Sequence, residues 1–293
     1  MSAPARSLIS PAQLSKWRGK IIYWTLFWLT VVVFTLVFIG PLYWMVTGGF
    51  KSTQEVIQTP PTLFPHHPQT SAYSTAWKRL NMAQLLFNTL YYAGGALLLQ
   101  LIFGVAAAYA LSKLRPIMGN VVLGLMLATL MVPAAVLVIP QYVTVVDVPI
   151  VHVNLLNSPW AIWLPSVANA FNIFLLKRFF DSIPEELVQA AQIDGAGPLR
   201  TLWSIILPIS RPILGVVSIF AVIGVWKDFL WPLLTMQDPA KQTLNVGVNN
   251  LSIGVQQDVL IAGLTIASIP AIVFFLLFQR SIMAGLTSGA LKG

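Results

Sequence analysis

Two opposite charges stand side by side in an otherwise apolar segment of this sequence. They are Lys227 and Asp228, and they lie between Trp226 and Trp231. A charge near the middle of a bilayer costs at least about 2.5–3.5 kcal/mol, so it faces protein or water. Neighbours on a helix point about 100° apart, so each charge needs its own partner. Because tryptophan faces stack well on sugar rings, the segment is a candidate site for a polar solute. The alternative is an ion pair between helices beside a belt of interfacial tryptophan.

A second polar feature is the segment 185–208, which lies between long apolar runs. The spacing of Ser182 and Glu185 predicts a capping box at the start of a helix. Gly195 predicts where that helix ends, and Pro198 predicts the start of a second short helix. Helical spacing gives one face to Leu187, Ala190, Ala191 and Asp194. A polar helix between spanning helices projects from the bilayer and can meet a soluble partner; the alternative is an amphipathic helix lying on the membrane.

Composition places the chain among membrane proteins. Of its 293 residues 57% are hydrophobic and only 9% are charged, whereas a soluble domain carries about a quarter charged residues. The net charge of +8 does not indicate nucleic-acid binding, because the basic residues lie at the ends of the apolar runs. The absence of cysteine excludes disulfides and thiolate metal sites. The three histidines have no ligand cluster beside them, so we expect no metal site.

Six apolar runs are long enough to cross a bilayer of about 30 Å. They cover residues 21–46, 85–111, 121–145, 158–176, 206–235 and 259–282. The sequence therefore predicts an all-α, polytopic membrane protein with six transmembrane helices. The first run is too long for a signal peptide and is retained. The organisation that follows is a cytoplasmic segment 1–20, a first helix 21–46, an extracytoplasmic loop 47–84, a membrane core 85–282 with the polar helix at 183–196, and a cytoplasmic tail 283–293.

The distribution of basic residues predicts the orientation. If the N-terminus is cytoplasmic, twelve of the 17 lysines and arginines lie on the inner side and four on the outer side, with Lys227 inside the fifth span. The positive-inside rule then favours a multi-pass protein of the cell membrane with both termini in the cytoplasm. The opposite orientation would place the segment 185–208 outside the cell.

The segment 185–208 resembles the EAA motif of the membrane subunits of bacterial ATP-binding-cassette (ABC) importers. The family pattern is Glu-Ala-Ala, then Asp-Gly, then Ile-x-Leu-Pro ten residues after the glycine. The same register holds Ala190-Ala191, Asp194-Gly195 and Ile205-Ile206-Leu207-Pro208. The family glutamate is replaced by Gln189, which hydrogen-bonds but forms no salt bridge. The resemblance implies a helix that docks on the ATPase through these residues, with Glu185 or Glu186 supplying the acidic contact.

Two further stretches resemble the carbohydrate-uptake branch of that family, specifically the maltose-transporter-type second permease. That branch has Trp-Asn-Asp-Phe-Leu-Trp-Pro-Leu where this chain has Trp226-Lys227-Asp228-Phe229-Leu230-Trp231-Pro232-Leu233. Residues 285–293 resemble the tail that such permeases extend toward the ATPase pair. Asn88 belongs to a weaker match with the same branch. The candidate residues of the substrate path are therefore Asn88, Trp226, Lys227, Asp228 and Trp231.

The resemblance implies a fold, a function and a set of partners. The fold is that of a type I ABC importer permease, and the function is passage of a sugar or oligosaccharide. The chain itself is not an enzyme and binds no cofactor, in agreement with the lack of a Gly-x-x-x-x-Gly-Lys-Ser/Thr sequence. The implied partners are a second permease in a heterodimer, two copies of a cytoplasmic ATPase that carry ATP and Mg²⁺, an extracytoplasmic solute-binding protein and the lipid bilayer; nucleic acid is not among them.

Two alternatives remain open at this stage. The cargo of an ABC permease could be glycerol phosphate or another polyol derivative, for which a phosphate calls for Arg or Lys in the cavity. Lys227 keeps that alternative open. A secondary transporter driven by ions would instead need a relay of intramembrane carboxylates and often inverted repeats. Asp228 is the one strong candidate for such a relay.

Overall fold

The computed structural model describes residues 17–251 and 254–290. Within these residues the chain is α-helical and has no strand, as predicted. Parts of the predicted segment 1–20 and of the predicted tail 283–293 lie outside the described residues. The helices are α1 (Trp17–Gly48), α2 (Thr53–Ile57), α3 (Ser71–Arg79), α4 (Met82–Tyr109), α5 (Gly119–Thr129), α6 (Ala134–Val146), α7 (Trp160–Val167), α8 (Ala170–Asp181), α9 (Glu185–Ile193), α10 (Pro198–Thr201), α11 (Leu207–Ile209), α12 (Arg211–Lys227), α13 (Leu230–Thr235), α14 (Leu244–Leu251) and α15 (Gln257–Ala290).

Three helices are long and apolar enough to cross a membrane without a break. They are α1, α4 with its π-helical continuation to Leu114, and the part of α15 up to Gln279. Two bent pairs raise the number of candidate spans among the described residues to five: α5 with α6, bent by 106°, and Pro198–Ile209 with α12, bent by 83°. The fourth predicted span falls on α7 and α8, which are separate short helices. The count of six therefore stays a prediction.

The helix breaks differ from the continuous spans expected from the apolar runs, and each has a local cause. Pro133 precedes α6, lacks an N–H and disfavours helix in the residue before it. Asn169 starts α8 by accepting a hydrogen bond from the backbone N of Asn172 at 3.0 Å. Asp228 ends α12 in an extended conformation and accepts from the backbone N of Trp231 at 3.4 Å. The predicted fifth span 206–235 is therefore wrong as a single helix.

The described residues divide into two compact units, 17–73 with 256–265, and 74–251 and 254–255 with 266–290. In the first unit, the stretch after α1 contains α2, followed by an irregular stretch at 58–70. Lys51 is buried, with its ammonium 4.1 Å from the centre of the Trp44 indole. Burial by itself would raise the pKa of Glu55, but hydrogen bonds from the Thr62 hydroxyl and the His66 N–H outweigh it and hold that pKa below its ordinary value.

The second unit is organised around α4, which packs against α7, α8 and α12. One cluster of fully buried side chains lies between α4, α8 and α12 and includes Ala108, Leu176, Phe180 and Val217. A second cluster includes Ala96, Ala161, Trp231 and Met236. Small residues allow the close approach: a Cβ at Gly95 would overlap the Trp163 indole, whose Nε1 donates to the backbone O of Tyr92 at 3.0 Å. The contact between α4 and α7 therefore depends on Gly95.

We expect Gly95→Val to lower the stability of the detergent-solubilised protein by about 1–3 kcal/mol, because the added methyl groups displace the Trp163 indole. The thermal unfolding midpoint is the measurement. Gly94→Val is the matched control, since a Cβ at that position meets no atom within 4 Å. Equal midpoints for the two variants would contradict the close packing of α4 on α7.

Candidate functional site

Three helix breaks of the second unit meet around one cavity of about 600 Å³. Its wall includes residues from the end of α5 and the start of α6, from both sides of the break between α7 and α8, and from the break between α12 and α13. Non-helical backbone at membrane depth is tolerated only where it is buried in protein or lines a water-filled cavity. Discontinuous helices of this kind form the solute sites of many transporters. The arrangement therefore indicates a hydrated cavity suited to a polar solute.

Amide side chains supply much of the polarity of this wall. Gln100 of α4 accepts a hydrogen bond from Asn172 Nδ2 at 2.9 Å through Oε1, so its Nε2 keeps donor capacity. Asn169 uses Oδ1 to cap α8 and keeps its Nδ2. The exposed side chain of Gln141 has no hydrogen-bond partner among the described residues. These amides offer both donors and acceptors, which is what the hydroxyl groups of a polyol require.

Two of the predicted site residues lie on this wall. The Asp228 carboxylate caps α13, accepting from the backbone N of Trp231 at 3.4 Å and also from the backbone N of Phe229. It lies on the cavity wall. Trp231 is buried and its Nε1 donates to the backbone O of Ala161 at 2.8 Å. That hydrogen bond fixes the indole as part of the wall, so the prediction of a solute site at these two residues is retained.

The other predicted residues lie elsewhere. Trp226 and Lys227 line a separate cavity of about 430 Å³ between α4, α12 and α15, whose other lining residues are apolar or glycine. Asn88 is buried and donates through Nδ2 to the backbone O of Ala240 and of Gln242, both at 2.9 Å. Its amide holds the turn at Pro239–Lys241 and is not brought to the cavity. The adjacent residues Lys227 and Asp228 line different cavities because α12 ends at Lys227.

Sequence reasoning missed Gln100, Gln141 and Asn169. The available signal was the amide side chain itself, because Gln100 and Gln141 lie inside predicted spans where polar groups are rare and tend to be functional. Asn169 could have been identified as a helix cap three residues before Asn172. No pattern in the sequence indicated that these three amides, from α4, α6 and the cap of α8, line one cavity.

The polar segment forms α9, inside the predicted bounds 183–196. Gly195 ends it with φ of +78°, a left-handed conformation that favours glycine, and Ala196 N donates to Ala191 O at 2.8 Å. Pro198 starts α10. These two predictions are confirmed. The capping box is wrong: the cap position is Pro184, and the Ser182 hydroxyl donates to the backbone O of Phe179 instead.

The start of α9 is attached to the far end of α4. Arg115 forms an ion pair with Glu185, which is why that carboxylate is not available for a capping box. Lys113 Nζ donates to the backbone O of Ile183 at 2.8 Å. Ser112 Oγ donates to Asp181 Oδ1 at 2.7 Å. This polar cluster joins two parts of the chain that are about 70 residues apart in sequence.

The predicted face of α9 lines a groove of about 310 Å³. Leu187, Ala190, Ala191 and Asp194 all contribute to it, together with Arg200 and Thr201 from α10. Glu186 and Gln189 are exposed on the same helix. Two apolar side chains beside the groove are strongly exposed, Ile193 at 87% and Leu199 at 73%. Exposed apolar residues rimmed by polar ones mark interaction surfaces.

Comparison with known proteins gives relatives over almost the whole chain. Residues 100–287 match the family described as binding-protein-dependent transport system inner membrane component. The melibiose/raffinose/stachyose import permease protein MelC of Bacillus subtilis is 31% identical over 86% of this chain and 91% of its own length. The diacetylchitobiose uptake system permease protein NgcG of Streptomyces coelicolor is 29% identical over 89% and 87%. The sn-glycerol-3-phosphate transport system permease protein UgpE of Yersinia pestis is 29% identical over 87% and 93%.

A solved structure has the same fold. A chain of a bacterial ABC transporter that imports the acidic polysaccharide alginate aligns with a TM-score of 0.80 and 25% identity, over 90% of this chain and 98% of its own. A second alignment, to an alginate ABC transporter in complex with a pentasaccharide-bound periplasmic protein, has a TM-score of 0.64 at 16% identity and supports the fold alone.

Because the chain has no cysteine, single introduced thiols report hydration of the two cavities. We expect Gln141→Cys, in the polar cavity, to react with a membrane-impermeant methanethiosulfonate in solubilised protein, since thiolates form and react in water. The control is Ile223→Cys in the apolar cavity, which we expect to react at least about tenfold more slowly. Similar rates would contradict the hydrated character of the polar cavity.

Proposed function

This chain belongs to the family of binding-protein-dependent transport system inner membrane components, and we propose that it is the permease subunit through which an ATP-driven importer passes a sugar or related polyol. As a member of that family it is a multi-pass membrane protein and a non-catalytic component of an ABC transporter. The observation that carries the transport path is the polar cavity lined by three helix breaks.

The chemistry of the cavity supports a polyhydroxylated cargo. The amides of Gln100, Gln141 and Asn169 and the carboxylate of Asp228 line the same cavity, so donors and acceptors are both present. Relatives named for melibiose, raffinose, stachyose and diacetylchitobiose support a sugar. UgpE, named for sn-glycerol 3-phosphate, keeps a phosphorylated polyol as the alternative cargo within the same mechanism.

The proposed assembly contains partners that this chain does not supply. They are a second permease, two cytoplasmic ATPase subunits that hold ATP and Mg²⁺, and an extracytoplasmic solute-binding protein. The orientation with both termini in the cytoplasm exposes α9 to the ATPase pair. The groove on α9, with Ile193 and Leu199 exposed beside it, supports α9 as the docking helix.

In the proposed mechanism the permease alternates between two states. Closure of the ATPase pair on ATP displaces α9. The polar cluster at Ser112, Lys113 and Arg115 carries that displacement to α4, which forms one wall of the cavity. The cavity then opens toward the solute-binding protein, and hydrolysis by the partner subunits resets the cycle.

A secondary transporter driven by protons is less well supported. A relay needs several carboxylates along the path, and Asp228 is the one carboxylate among the described residues that line the polar cavity. One oxygen of that carboxylate is already engaged as the cap of α13.

Isolation of the tagged chain from native membranes in mild detergent tests the assembly. We expect mass spectrometry to identify an ATPase, a second permease and a solute-binding protein, because the groove and exposed apolar residues of α9 need a partner surface. Recovery of the chain alone, from a preparation that keeps a known membrane complex intact, would exclude the importer and favour the secondary transporter.

We expect Gly195→Asp to abolish uptake and recovery of the ATPase while the chain stays in the membrane. A side chain at φ of +78° strains the end of the docking helix, and a carboxylate there lies at the negative end of the helix dipole. Gly197→Asp is the matched control. It adds the same charge two residues later, at the cap position of α10, where aspartate is favourable and no atom lies within 4 Å of a Cβ. Normal uptake by Gly195→Asp would contradict the docking role.

A further inference from the structure

The polar cavity carries a single kind of charge. Of its described lining residues, Asp228 is the only one with an ionisable acidic or basic side chain; the polar remainder consists of amides, hydroxyls and the Trp231 indole. The nearest basic residue in sequence, Lys227, lines the apolar cavity instead. The cation that a phosphate or carboxylate cargo would call for is therefore absent from this described wall.

Helix N-termini on the wall carry partial positive charge and attract anions. Three helices, α6, α8 and α13, begin at the cavity. The end of α8 is capped by Asn169 and that of α13 by Asp228, whereas α6, which follows Pro133, has no side-chain cap. Each cap occupies one backbone donor of its helix and places an acceptor oxygen of the chain beside it.

We propose that this cavity takes an uncharged, hydroxyl-rich solute and discriminates against phosphorylated or carboxylated ones. The proposal rests on the proposed function and narrows its cargo. Hydroxyl groups of a neutral sugar donate to the Asp228 carboxylate and to Gln141 Oε1, and accept from Gln100 and Asn169. An anion in the same place meets a like charge in a partly desolvated site without Lys or Arg to pair with it. The cavity volume of about 600 Å³ lies within the usual range for small-molecule sites.

The test uses the complete permease and ATPase complex in lipid nanodiscs without the solute-binding protein, so that the permease alone sets the selectivity. Equilibrium dialysis compares radiolabelled galactobiose with digalacturonate, which differ by their carboxylates, and glycerol with sn-glycerol 3-phosphate. We expect the neutral member of each pair to bind at least about tenfold more tightly. Asp228→Asn keeps the shape of the side chain and should narrow that ratio at least about threefold. Lys227→Met, in the other cavity, should leave the ratio unchanged.

Three results would overturn the proposal: equal or tighter binding of the anionic probes, a ratio insensitive to Asp228→Asn, or loss of anion binding in Lys227→Met. Absence of binding for all four probes to an intact, ATP-hydrolysing complex would also overturn it, because the cavity would then take no hydroxyl-rich solute. Failure to obtain any complex with an ATPase is a different outcome, and it rejects the proposed function itself.

Discussion

An unpaired backbone N–H or C=O in the hydrocarbon region of a membrane costs several kcal/mol, and this constraint governs how the chain can place irregular backbone. The protein interrupts its apolar helices in the stretches near Pro133, Asn169 and Asp228. All three interruptions line the same cavity. Water or a bound solute can form hydrogen bonds there with the backbone groups that the breaks leave unpaired. The breaks therefore make the cavity polar, and the cavity in turn reduces the energetic cost of the breaks.

The long helix α4 connects that cavity to the segment 185–208, which carries the family motif. With its π-helical continuation it runs unbroken from Met82 to Leu114. Gln100 lies at the cavity, and Lys113 contacts the backbone just before α9. The ion pair between Arg115 and Glu185 is half exposed or more on both sides, so by itself it stabilises the contact by at most about 1 kcal/mol. The attachment therefore depends on several weak contacts acting together, which is compatible with the movement proposed for α9.

Local sequence predicted the parts of the structure that depend on neighbours in the chain. The end of α9 at Gly195 and the start of α10 at Pro198 were predicted, because a left-handed turn and a first helical position each favour one residue type. The capping box failed although its spacing was correct. Glu185 pairs with Arg115, about 70 residues away in sequence, and no local pattern contains that partner.

The sequence by itself determined the class of the protein, the long apolar helices and the polar helix between them, because hydropathy, charge and turn residues act over short distances along the chain. Tertiary structure decided which polar groups share a site. Asp228 and Trp231 line the polar cavity, whereas Trp226 and Lys227 line an apolar one. Asn88 instead donates a hydrogen bond to the backbone O of Ala240. The physical reason is that α12 ends at Lys227, so adjacent residues diverge, and that the amides of the cavity come from separate helices, which only tertiary packing brings together.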